Sequence, residues 1–577
     1  MQCLQVAAET EAAASEYPFI YCNAYGDLQS NSSAVGLCLP ATCLQDKLQL
    51  VHHWETNMDM RPENMTAYET VSCSRSRYEK PWFHQPSILA NYIINKMIFA
   101  LVACASIYHV MRGTKSKSFA LDVFLAFSGI RTFQTIINKL NGQKKVITCI
   151  FGLRVIATVW VIIGHSSILI QGYLKNLDEY RDTLKNNFLY QIVTNCFLSV
   201  DTFFLFSGTL IAYNWFQQKQ RKDQITTFSY WRQFYWHRIV RLWPNIAYLM
   251  LYFPTEMRVL HYRPVWKVED LSESCISNWW KNLLFINTVT DGNCLPWTWY
   301  IGTDFIFYAL SPIYLLSFDK SYKLGLVISV VTISVSTMLN IIKMRQFSFP
   351  PTQFVWMTPH IFNADYTEHH RTIYIKPQYR IGPHIVGILL GYYLVNNKLK
   401  LSRKKLCLGW LSFIVLGFTS LFGLYPALQG WNWWSYHLLY GALHRITWAT
   451  AISWLIFACH SGHAYYLNRL LSLSFLVYLS KASYAVCLIH LLAVGGLYTK
   501  REFPIVFDGI QTLLVFGIEQ IIVSHILGFF TLFITECPFI NIDNALWKRL
   551  KSHDAQEITK MEKVEVARRT RNNQNWV

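Results

Sequence analysis

Arg154 and His165 are the only charged or titratable members of one apolar run, Phe151 to Ile170, in a chain of 577 residues. Such groups are costly inside a bilayer and by default mark function there. On a helix the eleven steps between them leave the two side chains about 20° apart around the axis and roughly 16 Å apart along it. One face thus carries a cation at one depth and a base at another. This suits a reaction whose anionic donor enters from one side of the membrane while its reacting end is handled near the other. The plainer alternative is a snorkelling arginine beside a packed histidine.

Other polar residues share that pattern of depths. His490, in Ser483-Tyr484-Ala485-Val486-Cys487-Leu488-Ile489-His490, is expected about 10 Å inside the outer end of its span. Asp304 is expected about as deep, and His444 with Arg445 enters at a similar level. In the inner half, Arg238 and Arg241 are three residues apart at the expected start of the fourth span, hence on one helix face. Arginine offers a forked donor to phosphate oxygens, so a cluster with Arg154 there suits a bulky anionic donor. Lipid-headgroup anchoring is the alternative for that pair. Asp201, in mid-membrane, demands a partner, and Arg154 or another inward arginine is expected to supply it.

The elements that position these residues follow from composition. Hydrophobic residues make up 52% of the chain, aromatics 16% and charged residues only 15%, which excludes a soluble or disordered class. Windows of about 20 apolar residues place eleven spans, near residues 91–112, 149–171, 190–213, 238–253, 297–317, 322–342, 378–396, 407–425, 439–461, 474–497 and 512–535. The expected fold is an all-α polytopic membrane protein of about eleven transmembrane helices, with a small disulfide-bonded extracellular domain at the amino terminus.

The net charge of +18, from 52 Lys+Arg against 34 Asp+Glu, falls in short loops rather than in a nucleic-acid-binding patch. Arg112–Lys117, Lys144–Lys145, Gln217–Lys222, Lys398–Lys405 and the tail Lys548–Arg571 share one side if the amino terminus is outside. The positive-inside rule makes that side the cytosol. Lys343–Arg380 on the opposite side is also basic, but the count favours this orientation. Residues 1–90 add Cys3, Cys22, Cys38, Cys43 and Cys73 and two sequons, at Asn31 and Asn64, features of an oxidising lumen. Five cysteines and no apolar leader imply a disulfide domain that begins partway, with Cys3 lacking its partner. Cys275 and Cys294 are candidates for a second bridge, whereas Cys104, Cys149, Cys196, Cys407, Cys459 and Cys487 read as packing residues.

His52 with His53, and His369 with His370, lack neighbouring ligands at metal spacing and read as solvated loop side chains. No phosphate-cradling glycine loop and no Gly-x-Ser-x-Gly elbow occurs in the sequence. Trp431, Trp433 and Trp434 read as an interfacial belt.

Taken in order, Arg154 to His165, Val200-Asp201-Thr202-Phe203-Phe204 with Ser207-Gly208, Arg238-Ile239-Val240-Arg241-Leu242-Trp243-Pro244, Pro296-Trp297-Thr298-Trp299-Tyr300, Tyr379-Arg380-Ile381-Gly382-Pro383 with Gly387 and Gly391, Ser483-Tyr484 with His490, and Glu536-Cys537-Pro538 resemble the membrane acyltransferase family called acyltransferase 3. The cysteine-rich front, with Gly36-Leu37-Cys38-Leu39-Pro40, resembles the outer domain joined to that family in the nose resistant to fluoxetine proteins of invertebrates. The resemblance implies ten core spans preceded by one tether, and a division into an outer domain (1–88), a first span and cytosolic linker (89–148), an acyltransferase domain (149–540) and a basic cytosolic tail (541–577). It also implies acyl transfer from cytosolic acyl-CoA, without a metal, to a hydroxyl-bearing lipid, sugar or small-molecule acceptor. His165 would be the essential base, Arg154 its support or the donor's, and Arg238 and Arg241 the donor-facing pair. Depth alone nominates Asp304 or His490 to orient the imidazole. A plasma-membrane or endoplasmic-reticulum location, with the amino terminus lumenal, goes with this reading. The rival reading is a lipid or xenobiotic transporter on the same scaffold, against which stands the lack of a convincing internal repeat.

Overall fold

The computed structural model describes residues 19–550 except 29–30, 44, 58–69, 74–85, 114–117, 139–145, 219–226, 261–271, 291, 293, 397–400 and 502. Cys3, Asn64, most of the basic loop residues and the tail beyond Leu550 lie outside these. Eleven helices, labelled here in chain order, coincide with the eleven expected spans: α1 (Pro86–Arg112), α2 (Cys149–Leu169), α3 (Leu198–Gln217), α4 (Phe228–Leu260), α5 (Trp299–Lys320), α6 (Tyr322–Phe347), α7 (Ile381–Asn396), α8 (Arg403–Phe422), α9 (Trp434–His460), α10 (Ser474–Thr499) and α11 (Gly509–Thr531). Apolar sequence takes this form because, in hydrocarbon, a helix satisfies its own backbone polar groups.

By length and composition, eight helices of the described residues are able to cross a membrane, or ten if each of two bent pairs counts as one span. This is fewer than eleven, and differently distributed. The sixteen-residue α7 is short, α4 carries Arg232, His237, Arg238 and Arg241 within its first half, and α3 passes only together with Phe188–Thr194, bent from it by 54°; none of the three is among the eight. The expected linker after α1, in turn, holds one bent pair, Phe119–Ala126 and Gly129–Ile137, at 72°. Each half is too short to register in a 20-residue window. His109 Nδ1 lies 2.8 Å from Ser128 Oγ at the bend, and the Gly129 amide donates to Ser106 Oγ (2.9 Å), tying the pair to α1.

The closest helix contact joins α3 to α7. A Cβ added at Gly208 would stand 2.1 Å from the His384 carbonyl oxygen, at Gly387 2.3 Å from that of Leu205, and at Gly391 2.5 Å from that of Thr209. Backbone therefore touches backbone, the close approach that small residues spaced by four allow between membrane helices. Beside this seam the Asp201 carboxylate meets Arg380 Nη1 at 3.1 Å and Arg445 Nε at 3.9 Å. Arg380 and Asp201 are 0% and 1% exposed, and the guanidinium packs over the Trp299 and Tyr374 rings. The partners are thus Arg380 and Arg445, and of the arginines the sequence allowed, Arg154 is not used.

The strands lie ahead of the helices, in an antiparallel sheet of order β2-β1-β3 (β1 Phe19–Leu28, β2 Asn31–Pro40, β3 Thr70–Cys73). Cys22 and Cys73 are register partners and form a disulfide. The Cys275–Cys294 bridge is also present. His369 departs from expectation. It is buried against Phe349 (ring centroids 4.8 Å apart), because a π-helical turn at His370–Tyr374 folds the loop inward. His370 Nδ1 meets the Gln353 amide.

Candidate active site

α2 and α10 pack side by side and bring His165 and His490 together, with His490 Nε2 2.8 Å from His165 Nδ1. His490 Nδ1 lies 2.8 Å from the Cys487 carbonyl oxygen. A carbonyl only accepts, so the His490 proton is on Nδ1, and the neutral ring turns the Nε2 lone pair to its neighbour. His165 must then donate from Nδ1, which leaves its Nε2 lone pair as the free basic position. A base with its tautomer fixed by a second group is the arrangement general-base chemistry needs.

On the far side of Cys487, where α3 ends and α4 begins, lies a cavity of about 990 Å³ whose walls include Arg154, Arg238, Arg241, Asp304, Tyr300 and Cys487. Its wall on α4 runs from Ser229 to Leu242, roughly 20 Å of helix. Neither imidazole is among its lining residues. Cys487, three residues before His490, marks its inner end on α10.

The three arginines are held differently. Arg238 pairs with Asp304 Oδ2 and lies 5.1 Å over the Tyr308 ring. Arg241 is half exposed, with its Nε 3.8 Å from the buried Glu536 carboxylate, which also accepts from Asn245 Nδ2 at 3.1 Å. Arg154 makes no ion pair among the described residues, and its backbone oxygen accepts from Thr158 Oγ1 (2.9 Å). Asp304 therefore serves Arg238 rather than the imidazole that depth had nominated it to orient. Arg238 is not at a helix start, because α4 begins ten residues earlier at Phe228, about 15 Å away along the helix. Glu536 and Tyr484, whose hydroxyl donates to the Leu242 carbonyl at 2.8 Å, carried family motifs but no role readable from sequence.

The profile described as acyltransferase domain, of the acyltransferase 3 family, matches residues 147–535. The chain belongs to this family. It is 28% identical over 455 residues to nose resistant to fluoxetine protein 6 of Caenorhabditis elegans, covering 75% of this chain and 55% of that protein. It is 23% identical over 326 residues to regulator of hypoxia-inducible factor 1 of the same worm, covering 54% and 63%. A Staphylococcus aureus protein whose name provisionally makes it an O-acetyltransferase is 24% identical over 392 residues, covering 64% and 55%. The chain thus spans between half and two thirds of the length of these relatives. No solved structure matches it. Family and fold together make this acyltransferase 3 chain a multi-pass membrane protein, similar over three quarters of its length to nose resistant to fluoxetine protein 6.

Proposed function

We propose that the protein moves an acyl group from a cytosolic acyl-CoA to a hydroxyl of a lipid, sugar or small-molecule acceptor at or across the bilayer, with His165 as general base. The observation that carries this reading is the His165–His490 pair, which leaves His165 Nε2 unprotonated toward a reacting hydroxyl. The arginine-lined cavity supports it as the donor's entry. The acceptor oxygen attacks the thioester carbonyl, its proton passes to His165 Nε2, and the CoA thiolate leaves and takes up that proton. Base assistance of this kind contributes roughly 10²- to 10⁴-fold. The staphylococcal relative's name favours an O-acetyl product. His490 acts as the positioning residue, and Arg154 and Arg241 meet the donor's anionic portion. The orientation, with the cavity opening to the cytosol and the amino terminus in the lumen of the endoplasmic reticulum or outside the plasma membrane, rests on loop charge.

One observation favours a second reading, in which the scaffold moves lipid or xenobiotic cargo: the cavity ends a helical turn short of the imidazoles. Labelled acetyl-CoA and longer acyl-CoAs given to the purified protein in lipid test the pair of readings. Label transferred by the wild type and lost in a folded His165→Ala variant supports the enzyme. Cargo uptake that survives His165→Ala, with no transfer by either protein, replaces it with transport.

A further inference from the structure

Six residues that line the cavity hold a buried polar atom without a hydrogen-bond partner among the described residues: Ser207 Oγ, Trp215 Nε1, Arg238 Nε, Asp304 Oδ1, Ser483 Oγ and Trp547 Nε1. Ser483 and Asp304 are 2% and 3% exposed. An unpaired buried polar group is costly, and the gathering of six around one cavity marks a surface built to meet a polar ligand.

The chemistry of the unpaired atoms changes with depth. Trp215, near the end of α3, and Trp547, whose ring lies 5.5 Å from that of His237, offer N–H donors alone. Deeper, Asp304 Oδ1 is an acceptor, Arg238 Nε a donor, and the two serine hydroxyls are both. An anion needs only donors. Mixed donors and acceptors around an elongated cavity match a ligand that alternates N–H and C=O, as an amide-bearing arm does. Length agrees as well, since Arg154 and His165 are roughly 16 Å apart along α2, and about four residue lengths of extended amide chain cover a similar distance.

We infer that the deep half of this cavity is a subsite for the two-amide pantetheine arm of the donor, read by Ser207, Ser483 and the Asp304–Arg238 pair. The inference rests on the acyl-CoA reading above. It places the phosphates outside the arm, beside Arg154, and the thioester at its inner end, toward Cys487. Donor recognition is therefore divided, with the amides read by the two hydroxyls and the Asp304–Arg238 pair and the anion by Arg154.

Binding of three donors to the full chain in lipid nanodiscs tests this: acetyl-CoA, S-acetyl-pantetheine, which lacks the phosphates, and S-acetyl-N-acetylcysteamine, which has a single amide. The wild type should hold S-acetyl-pantetheine at least fivefold more tightly than the cysteamine thioester. Ser483→Ala and Ser207→Ala should each weaken acetyl-CoA and S-acetyl-pantetheine by about three- to tenfold, while Arg154→Gln should weaken acetyl-CoA alone. A wild type that binds acetyl-CoA but treats the two truncated donors alike overturns the subsite. Serine variants that fold and bind both pantetheine donors as the wild type does also overturn it. Absence of acetyl-CoA binding by the wild type instead removes the donor reading on which the subsite stands.

Discussion

His490 Nε2 accepts from His165 Nδ1 across the α2–α10 contact at 2.8 Å, and the Cys487 carbonyl fixes the proton on the other nitrogen of His490. Two imidazoles are thereby locked into one tautomeric pair by a backbone oxygen.

That lock can be tested apart from His165. His490→Ala should lower acyl transfer by about 10- to 100-fold, because His165 loses the acceptor that holds its proton on Nδ1. His490→Gln, whose side-chain oxygen can accept the same N–H, should recover part of the loss. Rates of the two variants that match each other would argue that residue 490 only fills space.

The Arg238–Asp304 pair is buried on its acid side, 4% exposed against 21% for the arginine. Removing one partner of such a pair costs about 3–5 kcal/mol, because the other charge remains. Arg238→Gln should therefore lower the unfolding midpoint sharply, and adding Asp304→Asn should restore most of it. Thermal melts of the single and double variants check this; additive losses would mean that the charges do not act as a pair.

Backbone contact between α3 and α7 makes Gly387 intolerant of a side chain. Gly387→Val should abolish folded protein or cost several kcal/mol, as overpacking does. Gly495→Ala on α10, where an added Cβ meets nothing within 4 Å, should be tolerated. Detergent-stable yield by size-exclusion chromatography compares the two.

Burial holds the His369 imidazole, in the loop between α6 and α7, down at about 3, helped by the nearby Arg445, His370 and Arg380 charges. Unfolded, the ring titrates near 6.5, so between about pH 6.5 and pH 3 the unfolded state binds the extra proton. Stability should fall on acidification through that window, by at most about 1.4 kcal/mol per pH unit from this group. His369→Phe keeps the stacking on Phe349 and should flatten the decline in melting temperature from pH 7 to 5. An unchanged decline would assign the acid sensitivity to other groups.

Hydropathy made each of the eleven helices legible, because an apolar run in a membrane has few alternatives to a helix. The bent pair at Phe119–Ile137 escaped for the same reason, as its halves are shorter than the window that finds spans. Distances along a single helix also read well, and the similar depths expected for His165 and His490 agree with their contact. Relations between helices did not. Arg380 stands in a loop just before α7, so nothing in sequence coupled it to Asp201 some 180 residues away. The levels of Arg238 and Asp304 were set apart because the aromatic, arginine-containing first half of α4, from Phe228 onward, is helical though hydropathy does not mark it.

The glycine seam also bears on motion. Because main chain meets main chain at Gly208, Gly387 and Gly391, α3 and α7 cannot slide or roll against each other without collision, and any motion would carry them as one unit. α10, which carries both Cys487 and His490, is held to neighbouring segments by Tyr484 and Leu488, through hydrogen bonds to the Leu242 carbonyl and from the Trp297 indole. Loosening those two tethers, rather than widening the bundle as a whole, is how a passage past Cys487 to the imidazole pair would be made.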